Sequence, residues 1–457
     1  MMSEGKRSRL AQRRFLNEFE EALVTRPDGS SWARRWETAR AARAYFEGLL
    51  GPAKRKTMAG IARTVTIHPD RIQQFVTESP WDPMRTTEGL VDRMAKQYAS
   101  PSGVLVVDDT GQAKQGSHSV GVKRQYSGTL GMIGNCQVAV DVVYVIPGKR
   151  RNADAIVWPL GLDLYLPREW TDEPWRREEV GIPKDVGFRT KIQIAVDMID
   201  RAVRRGLPFH GLVADSIYGR DGDFRSALRD HGIAYAVGVV PSRTYFIDED
   251  TPVSRGKEHL LYPKTATPFT PTNLARRLDK EDWTEVTWSE GTKGPLRALF
   301  HRTRVRVVHP NRGRRATDEV GWLLLEKRSK EMKAYMCHGL DDCSLEEIVR
   351  LVHQRWAVER FHHEIKETLG MDHFEGRGWL GWRHHMAMIC LAYAFLAVLR
   401  ARAGTGTKLP SFEAVFRAVV EGLVERVLVN KGRLGHRKAR KIAPLMADLW
   451  GIPQPPK

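Results

Sequence analysis

Two short apolar runs, each followed by aspartate, constrain the fold of this chain more than any other feature. Residues 104–107 (VLVV) lead into Asp108 and Asp109, and residues 211–214 (GLVA) lead into Asp215. Short apolar runs of this kind are typical of buried strands. Carboxylates at the ends of such strands can converge on one edge of a sheet, so these two runs predict an acidic site on a β framework.

The segments around these runs predict an α/β protein. Further strands are expected at residues 137–146, 155–164 and 234–240, and helices at 191–205 and 223–230. A β-rich start followed by alternating strands and helices indicates a mixed sheet with flanking helices. We take residues 101–240 as the first part of this core.

The remaining segments predict four further parts. Residues 1–100 are mostly helical in pattern, and short helices at 57–63 and after His68 resemble a helix-turn-helix DNA reader or an ordinary helical bundle. Residues 241–317 contain prolines, threonines and stretches of alternating side chains such as RTRVRV (302–307), and this pattern predicts a β-rich insertion. Strands at 320–325 and 334–337, with helices at 344–369 and 383–402, form a second core part at 318–403. A basic helical tail is expected at 404–457; its basic cluster consists of Lys431, Arg433, Arg437, Lys438, Arg440 and Lys441.

The charge balance indicates an anionic partner. The chain has 73 Lys and Arg against 55 Asp and Glu, a net charge of +18, and nucleic acid is the leading candidate. Residues 1–100, 241–317 and 404–457 each carry a net charge of +6. The core, residues 101–240 and 318–403, therefore carries no net charge. We therefore expect the charge that holds DNA to lie in these three appendages.

Cysteine content and hydropathy indicate a cytoplasmic protein without a membrane partner. Four scattered cysteines are too few for a disulfide framework. The sequence contains no Cys-x2-Cys pair, so a structural zinc site is not expected. The N-terminus shows no secretory pattern. The longest apolar run, residues 386–399, is shorter than the roughly 20 residues that span a bilayer, so a buried helix is expected.

The acidic residues suggest a magnesium site. Asp109, Asp215 and Glu359 supply the hard oxygen ligands that Mg²⁺ prefers, and two such ions about 3.5–4 Å apart promote phosphoryl transfer. An aspartate after a strand is also a common turn former or helix cap. Asp108 competes with Asp109, because strand alternation puts them on opposite faces without saying which face is catalytic.

The helix that carries Glu359 has a polar face. At helical spacing Arg355, Glu359, His362 and Lys366 fall within an arc of about 60°. An apolar stripe lies beside this arc, so the polar group is expected at the edge of the core, facing a cleft. Ordinary ion pairs along the helix are the alternative interpretation.

Three blocks resemble bacterial insertion-sequence transposases of the DDE class, in particular the family numbered seven hundred and one. These blocks are DDTGQAKQGSHSVGVKRQYSGTLGMIGNCQVAV (108–140), ADSIYG (214–219) and RWAVERFHHEIKETLGMDHFEGRGWLGWRHH (355–385). The resemblance implies a ribonuclease-H-like catalytic domain with a β-strand insertion before the glutamate helix. It implies Asp109, Asp215 and Glu359 as the catalytic, metal-binding triad, with Mg²⁺ as cofactor and Mn²⁺ as its substitute.

The related pattern Tyr-x2-Arg-x3-Glu-x6-Lys matches at Arg355, Glu359 and Lys366, whereas its tyrosine position holds Val352. In relatives these polar groups help to hold DNA phosphates near the metals. His362, on the same arc, and Lys123 and Arg124 are further DNA-binding candidates. The expected partners are double-stranded DNA, comprising terminal inverted repeats and target DNA, and a second copy of the chain in the DNA complex. A bacterial, nucleoid-associated protein of the cytoplasm is expected.

The segment after the first aspartates is rich in glycine and small polar residues. Residues 114–136 are interpreted either as a loop that approaches DNA, with Lys123, Arg124 and Tyr126 on the DNA backbone, or as a solvated hairpin connection. We expect Trp283, Trp288 and Trp322 to pack in the core; stacking on an unpaired base is the less favoured alternative.

The leading hypothesis is a transposase that binds inverted repeats, cleaves DNA by Mg²⁺-dependent hydrolysis and joins the 3′-OH ends to target DNA. The main alternative is a catalytically silent, transposase-derived DNA-binding regulator. A phosphohydrolase of the haloacid-dehalogenase type is disfavoured, because that chemistry needs Asp-x-Asp and the position after Asp109 is Thr110.

Overall fold

Residues 35–103 of the described chain contain four helices, and residues 13–19 before them are also helical. The computed structural model describes residues 11, 13–19, 23, 35–128, 131–148, 154–257, 259–291, 293–329, 331–404, 409–430, 434–449 and 452. The helices are α1 (Arg35–Leu49), α2 (Met58–Ala62), α3 (Pro69–Thr77) and α4 (Pro83–Gln97). Thr57 and Asp82 cap α2 and α4 with their side chains, and proline begins α3 and α4. The predicted helical character of this region is confirmed for its described residues.

A 13-stranded mixed sheet forms the centre of the protein. Its first six strands are β1 (Val104–Ala113), β2 (Lys123–Ser127), β3 (Met132–Ile146), β4 (Ile156–Leu164), β5 (Gly211–Ala214) and β6 (Tyr235–Val239). Strands β5 and β6 run parallel to β1, whereas β3 pairs antiparallel with β1, β2 and β4. The predicted α/β class with a mixed sheet is confirmed.

The inserted strands continue the same sheet. They are β7 (Tyr245–Asp248), β8 (Ser254–Arg255), β9 (Leu260–Leu261), β10 (Thr284–Gly291), β11 (Gly294–His309), β12 (Arg315–Lys327) and β13 (Met332–His338). Strand β13 pairs with β6 and β12 pairs with β11, which joins the insertion to the core. The boundary predicted after residue 317 therefore falls inside β12 and does not separate two bodies.

Several helices lie between β4 and β10 in the described chain. They are α5 (Arg168–Asp172), α6 (Pro174–Val180), α7 (Lys191–Arg204), α8 (Ser216–Gly219), α9 (Gly222–Asp230) and α10 (Pro271–Ala275). Helix α7 begins with a capping box between Thr190 and Gln193. It packs against β3 and β4.

Five further helices follow β13 in the described part of the chain. They are α11 (Leu345–Val352), α12 (Trp356–Glu367), α13 (Trp379–Ala403), α14 (Phe412–Asn430) and α15 (His436–Leu449). A short 3-10 turn, His353–Arg355, joins α11 to α12. Lys431 and Arg433 of the predicted basic cluster lie outside the described residues.

Helix α13 is the central core helix. Within the described part of the chain it alone is long and apolar enough to cross a membrane, but 78% of its most apolar window is buried in the protein. Phe395 of this helix contacts Phe46 of α1, and His384 stacks on Trp81 at 3.9 Å. The N-terminal helices and the sheet thus share one hydrophobic core.

The three tryptophans considered for base stacking lie in the insertion and its neighbouring strand, partly buried against this core. Trp288 stacks on His353 at 3.8 Å, and Trp322 lies under the guanidinium groups of Arg302 and Arg304.

Candidate active site

The aspartates of β1 lie in the middle of the strand. The sequence predicts a strand that ends at residue 107, but β1 continues to Ala113 because β3 pairs with it along its whole length. Strand β5 pairs with β1 only at residues 104–107 of β1, and the last residue of β5, Ala214, lies opposite Val107. Asp215 therefore follows β5 at the level of Asp108, where the parallel strands diverge.

The two neighbouring aspartates point to opposite faces of the sheet, as strand alternation requires. Asp108 accepts a hydrogen bond from Nη1 of Arg355 at 2.9 Å. Asp109 accepts one from Nζ of Lys191, at the start of α7, at 3.0 Å. Helix α12 thus faces Asp108, and helix α7 faces Asp109.

Asp215 holds the turn between β5 and α8. Its Oδ1 accepts hydrogen bonds from the backbone N–H groups of Ile217 and Tyr218, at 2.8 and 3.3 Å. This is the capping role that an aspartate after a strand often has. The hydroxyl of Tyr218 donates to the backbone carbonyl of Asp108 at 3.3 Å, which fixes α8 against β1.

Helix α12 brings the polar arc to the sheet. Arg355 forms ion pairs with both Asp108 and Glu359, and the Glu359 side chain is 51% exposed. Lys366, two turns further on, donates to the backbone carbonyl of Gly111 at 3.0 Å. The polar arc therefore lies over the Asp108 face of β1, at the boundary between core and solvent.

A pair that the sequence did not predict joins His362 of this arc to Asp141 of β3. Asp141 of β3 is directly opposite Asp108 in register and fully buried, and its Oδ2 lies 2.7 Å from Nε2 of His362. The Oδ1 atom of Asp141 is buried without a hydrogen-bond partner among the described residues. A single acid within the apolar run of β3 is the signal that would have identified it.

Burial and mutual repulsion shift the pKa values of these groups. Burial raises the pKa of Asp108 to about 7, although His362 and Arg355 oppose the shift. Burial also raises the pKa of Asp215 and of Asp141. Burial disfavours the charged form of His362, but the attraction of Asp141 outweighs it and the pKa of His362 is raised.

The donor set matches a hard divalent cation. Asp108, Asp215, Glu359 and the unpartnered Oδ1 of Asp141 offer only oxygen atoms, which Mg²⁺ and Mn²⁺ prefer. In the described part of the chain, however, no three His, Cys, Asp or Glu side chains are gathered as ligands around one point. The Arg355 guanidinium separates Asp108 from Glu359 instead.

The DNA-binding candidates have different surroundings. Arg355, Lys366 and His362 make the internal contacts described above, and His362 is largely buried. Lys123 pairs with Glu169. The Arg124 side chain is exposed and has no hydrogen-bond or ion-pair partner among the described residues. Of the five, Arg124 is thus the most accessible to an external phosphate.

Comparison with known families identifies the class of the protein. Residues 30–295 match the model of the DDE superfamily endonucleases, and the chain belongs to this family. The match includes Asp108 and Asp109 of β1, Asp141 of β3 and Asp215 after β5, and it ends before Glu359. DDE endonucleases generally use divalent metal ions.

A curated relative agrees with the resemblance seen in the motifs. The chain is 32% identical over 194 residues to the probable transposase for insertion sequence element IS701 of Microchaete diplosiphon. This match covers 42% of the chain and 46% of the relative. The predicted similarity to insertion-sequence DDE transposases is thereby confirmed.

Proposed function

We propose that the protein is a transposase that cleaves the ends of an insertion sequence and joins them to target DNA. Family membership supports the nuclease class, and the IS701 relative supports transposition. The observation that carries the proposal is the convergence of Asp108, Glu359 and Asp215 around the Arg355 guanidinium.

We propose Asp108, Asp215 and Glu359 as the ligands of the Mg²⁺ or Mn²⁺ ions. The sequence predicts Asp109 in place of Asp108, but Asp109 faces Lys191 on the far side of the sheet from α12. Bound divalent ions would activate the attacking oxygen and stabilise the leaving one. The ribonuclease-H-like topology implied by the family resemblance is consistent with the order β3-β1-β5-β6.

The reaction consists of two phosphoryl transfers. In the first, a water oxygen bonds to the phosphorus at the end of the element, and the 3′ oxygen leaves as a hydroxyl. In the second, this 3′-OH bonds to a target phosphorus, and a target 3′ oxygen leaves. Arg355 and Lys366 lie beside the carboxylates, where their positive charge would hold the DNA phosphate.

The partners follow from this chemistry. Two ends of the element must be held together for joining, so we propose a homodimer on terminal inverted repeats and target DNA. The +18 net charge of the chain supports a DNA partner. A bacterial, nucleoid-associated location in the cytoplasm belongs to the same proposal.

Cleavage of a duplex that carries the element's terminal repeat tests this proposal. We expect Asp108→Asn, Asp215→Asn and Glu359→Gln to abolish strand cleavage with Mg²⁺ or Mn²⁺ while DNA binding persists. Asp109→Asn is the matched control, since it removes a neighbouring charge on the opposite face, and it should retain cleavage.

Two outcomes would change the assignment. If only Asp109→Asn lost cleavage, Asp109 would be the catalytic aspartate, as the sequence predicts, and Asp108 would not. A wild-type protein that binds the duplex but never cuts it would instead favour the DNA-binding regulator.

A further inference from the structure

The hairpin formed by β2 and β3 begins at the carboxylate edge of the sheet. Pairing between β1 and β3 ends at Ala113 and Cys136, and β3 continues from there to Met132 in partnership with β2. The base of the hairpin therefore lies at the carboxyl end of β1, the end at which Asp215 follows the parallel strand β5. Its turn end bends back toward β1, where Ser127 lies against Gly111.

Strand register assigns the side chains of the hairpin to two faces. Pairing along β3 is regular from residue 132 to residue 145, so alternate residues share a face. Ile133 lies on the same face of β3 as Asp141, which is opposite Asp108. Tyr126 is opposite Ile133, and Arg124 is opposite Asn135. Arg124, Tyr126 and Ile133 thus continue the face that carries the carboxylate of Asp108; we call them the hairpin face.

The hairpin face is apolar, basic and exposed. Tyr126 is 55% and Ile133 58% exposed, which is unusual for an adjacent pair of large apolar side chains. Residues 114–135 contain no Asp or Glu; Lys123 pairs with Glu169, and the exposed Arg124 supplies the positive charge of the hairpin face. The positive charge favours a polyanion over a second copy of this basic chain.

The hairpin is anchored where it leaves the sheet. The Asn135 amide donates to the backbone carbonyls of Lys114 and Gly116, at 2.8 and 2.9 Å, and Gln125 donates to the carbonyl of Cys136. On the opposite face, Ser127 is buried against Gly111 of β1. These contacts hold the hairpin next to the carboxylates.

We propose that the hairpin face binds the DNA that flanks the scissile phosphate. Arg124 contacts a backbone phosphate, and Tyr126 with Ile133 packs against a base or sugar of the same DNA. This inference rests on the proposed function and adds to it a DNA-contacting element. Exposed aromatic rings beside basic side chains are the chemistry that stacks on bases and follows a phosphate backbone.

The position of the hairpin limits where this contact falls. Ile133 lies eight positions before Asp141, and a strand rises about 3.4 Å per residue, so the distance between them is at most about 27 Å. Since successive phosphates of one DNA strand are about 3.4 Å apart along the axis, the contact lies within about eight base pairs of the cleavage site.

The experiment uses the full chain in metal-free buffer and a duplex ending in the element's terminal sequence, with 2-aminopurine at successive positions. For wild type we expect a fluorescence change within eight base pairs of the cleavage site. The double variant Tyr126→Ser/Ile133→Ser should abolish this change and weaken binding at least fivefold. Arg124→Ala should lower the slope of log affinity against log salt by about 0.9.

Met132→Ser is the matched control, since Met132 is 63% exposed on the other face of the same hairpin. It should change affinity less than twofold. Thermal melting of each variant verifies that the fold is intact.

Other outcomes overturn the inference. If wild type binds the duplex and Tyr126→Ser/Ile133→Ser binds it equally well, the hairpin face does not contact DNA and the proposed function stands. If this variant changes only the sedimentation mass of the DNA-free protein, the face is a contact between copies. If wild type itself does not bind the duplex, the proposed function fails as well.

Discussion

The guanidinium of Arg355 donates to the carboxylate of Asp108 at 2.9 Å and also pairs with Glu359. It therefore lies between two of the proposed metal ligands, where its charge compensates theirs. A divalent ion held by Asp108 and Glu359 would compete with this guanidinium for the same carboxylate oxygen atoms.

Replacement of Arg355 by glutamine should separate the two roles of this side chain. We expect the free energy of unfolding without metal to fall by about 2 kcal/mol, because hydrogen bonds between charged groups contribute about 1.5–3 kcal/mol. The affinity for Mn²⁺ should rise about tenfold, or 1.4 kcal/mol, because no guanidinium has to be displaced. Urea unfolding and calorimetric titration with Mn²⁺ measure the two quantities.

Arg360→Gln is the control for this prediction. Arg360 lies on the same helix and pairs with Glu364, away from the carboxylates of β1. Its replacement should lower stability and leave the affinity for Mn²⁺ unchanged. An Arg355→Gln protein that binds Mn²⁺ more weakly than wild type would mean that Arg355 supports the ion and does not compete with it.

The Asp141–His362 pair should be strongly coupled in folding. Asp141 is fully buried and the His362 side chain is 14% exposed. Removal of one partner of a buried ion pair costs about 3–5 kcal/mol, since the other charge is left uncompensated. We expect His362→Gln to destabilise the protein by this amount and Asp141→Asn/His362→Gln to recover part of the loss. A double-mutant cycle from urea unfolding measures the coupling. A coupling energy near zero would refute the pairing.

The stability of the protein should fall in mild acid because of His385. Its Nδ1 accepts from the hydroxyl of Tyr45 at 2.7 Å, and its Nε2 faces the carbonyls of Gly370 and Met371, which fits the neutral ring protonated on Nε2. Burial lowers the pKa of His385 to about 4. The unfolded chain, with a pKa of about 6.5, therefore binds one more proton between these values, and stability falls as the pH drops through this window.

The full effect of this one group is about 3 kcal/mol. Urea unfolding at pH 7, 6, 5 and 4.5 measures it against His385→Gln, which lacks the titrating ring. The variant should be less stable at pH 7 but lose less stability on acidification. Parallel pH profiles for the two proteins would contradict the buried neutral state of His385.

Much of this architecture could be predicted from local patterns. The apolar runs of β1 and β5, the helical spacing of α7 and the polar arc of α12 are properties of neighbouring residues. The structure has β5 and α7 where the sequence predicts them, but the single helix predicted at 344–369 is divided into α11 and α12 by the 3-10 turn His353–Arg355. The start of the first strand was predicted correctly, but its end was not, because β1 is extended to Ala113 by pairing with β3.

The assignment of faces could not be predicted in the same way. Alternation separates Asp108 from Asp109, but only the packing of α12 on one side and α7 on the other decides which aspartate meets Glu359. The pairing of Asp141 with His362 joins residues 221 positions apart and depends on cross-strand register. Such contacts arise from tertiary structure, which no local pattern encodes.

The close contact between Gly111 and Ser127 should determine the position of the hairpin. A Cβ atom on Gly111 would lie 2.0 Å from Oγ and 2.8 Å from Cβ of Ser127, and Ser127 is buried. Gly111→Ala should therefore displace the hairpin and destabilise the protein by about 1–3 kcal/mol, the usual cost of overpacking. Gly111→Ala/Ser127→Gly removes the obstructing side chain and should regain most of that stability. Thermal and urea unfolding of both variants measure this; equal losses in the single and double variants would show that the steric contact with Ser127 is not the cause.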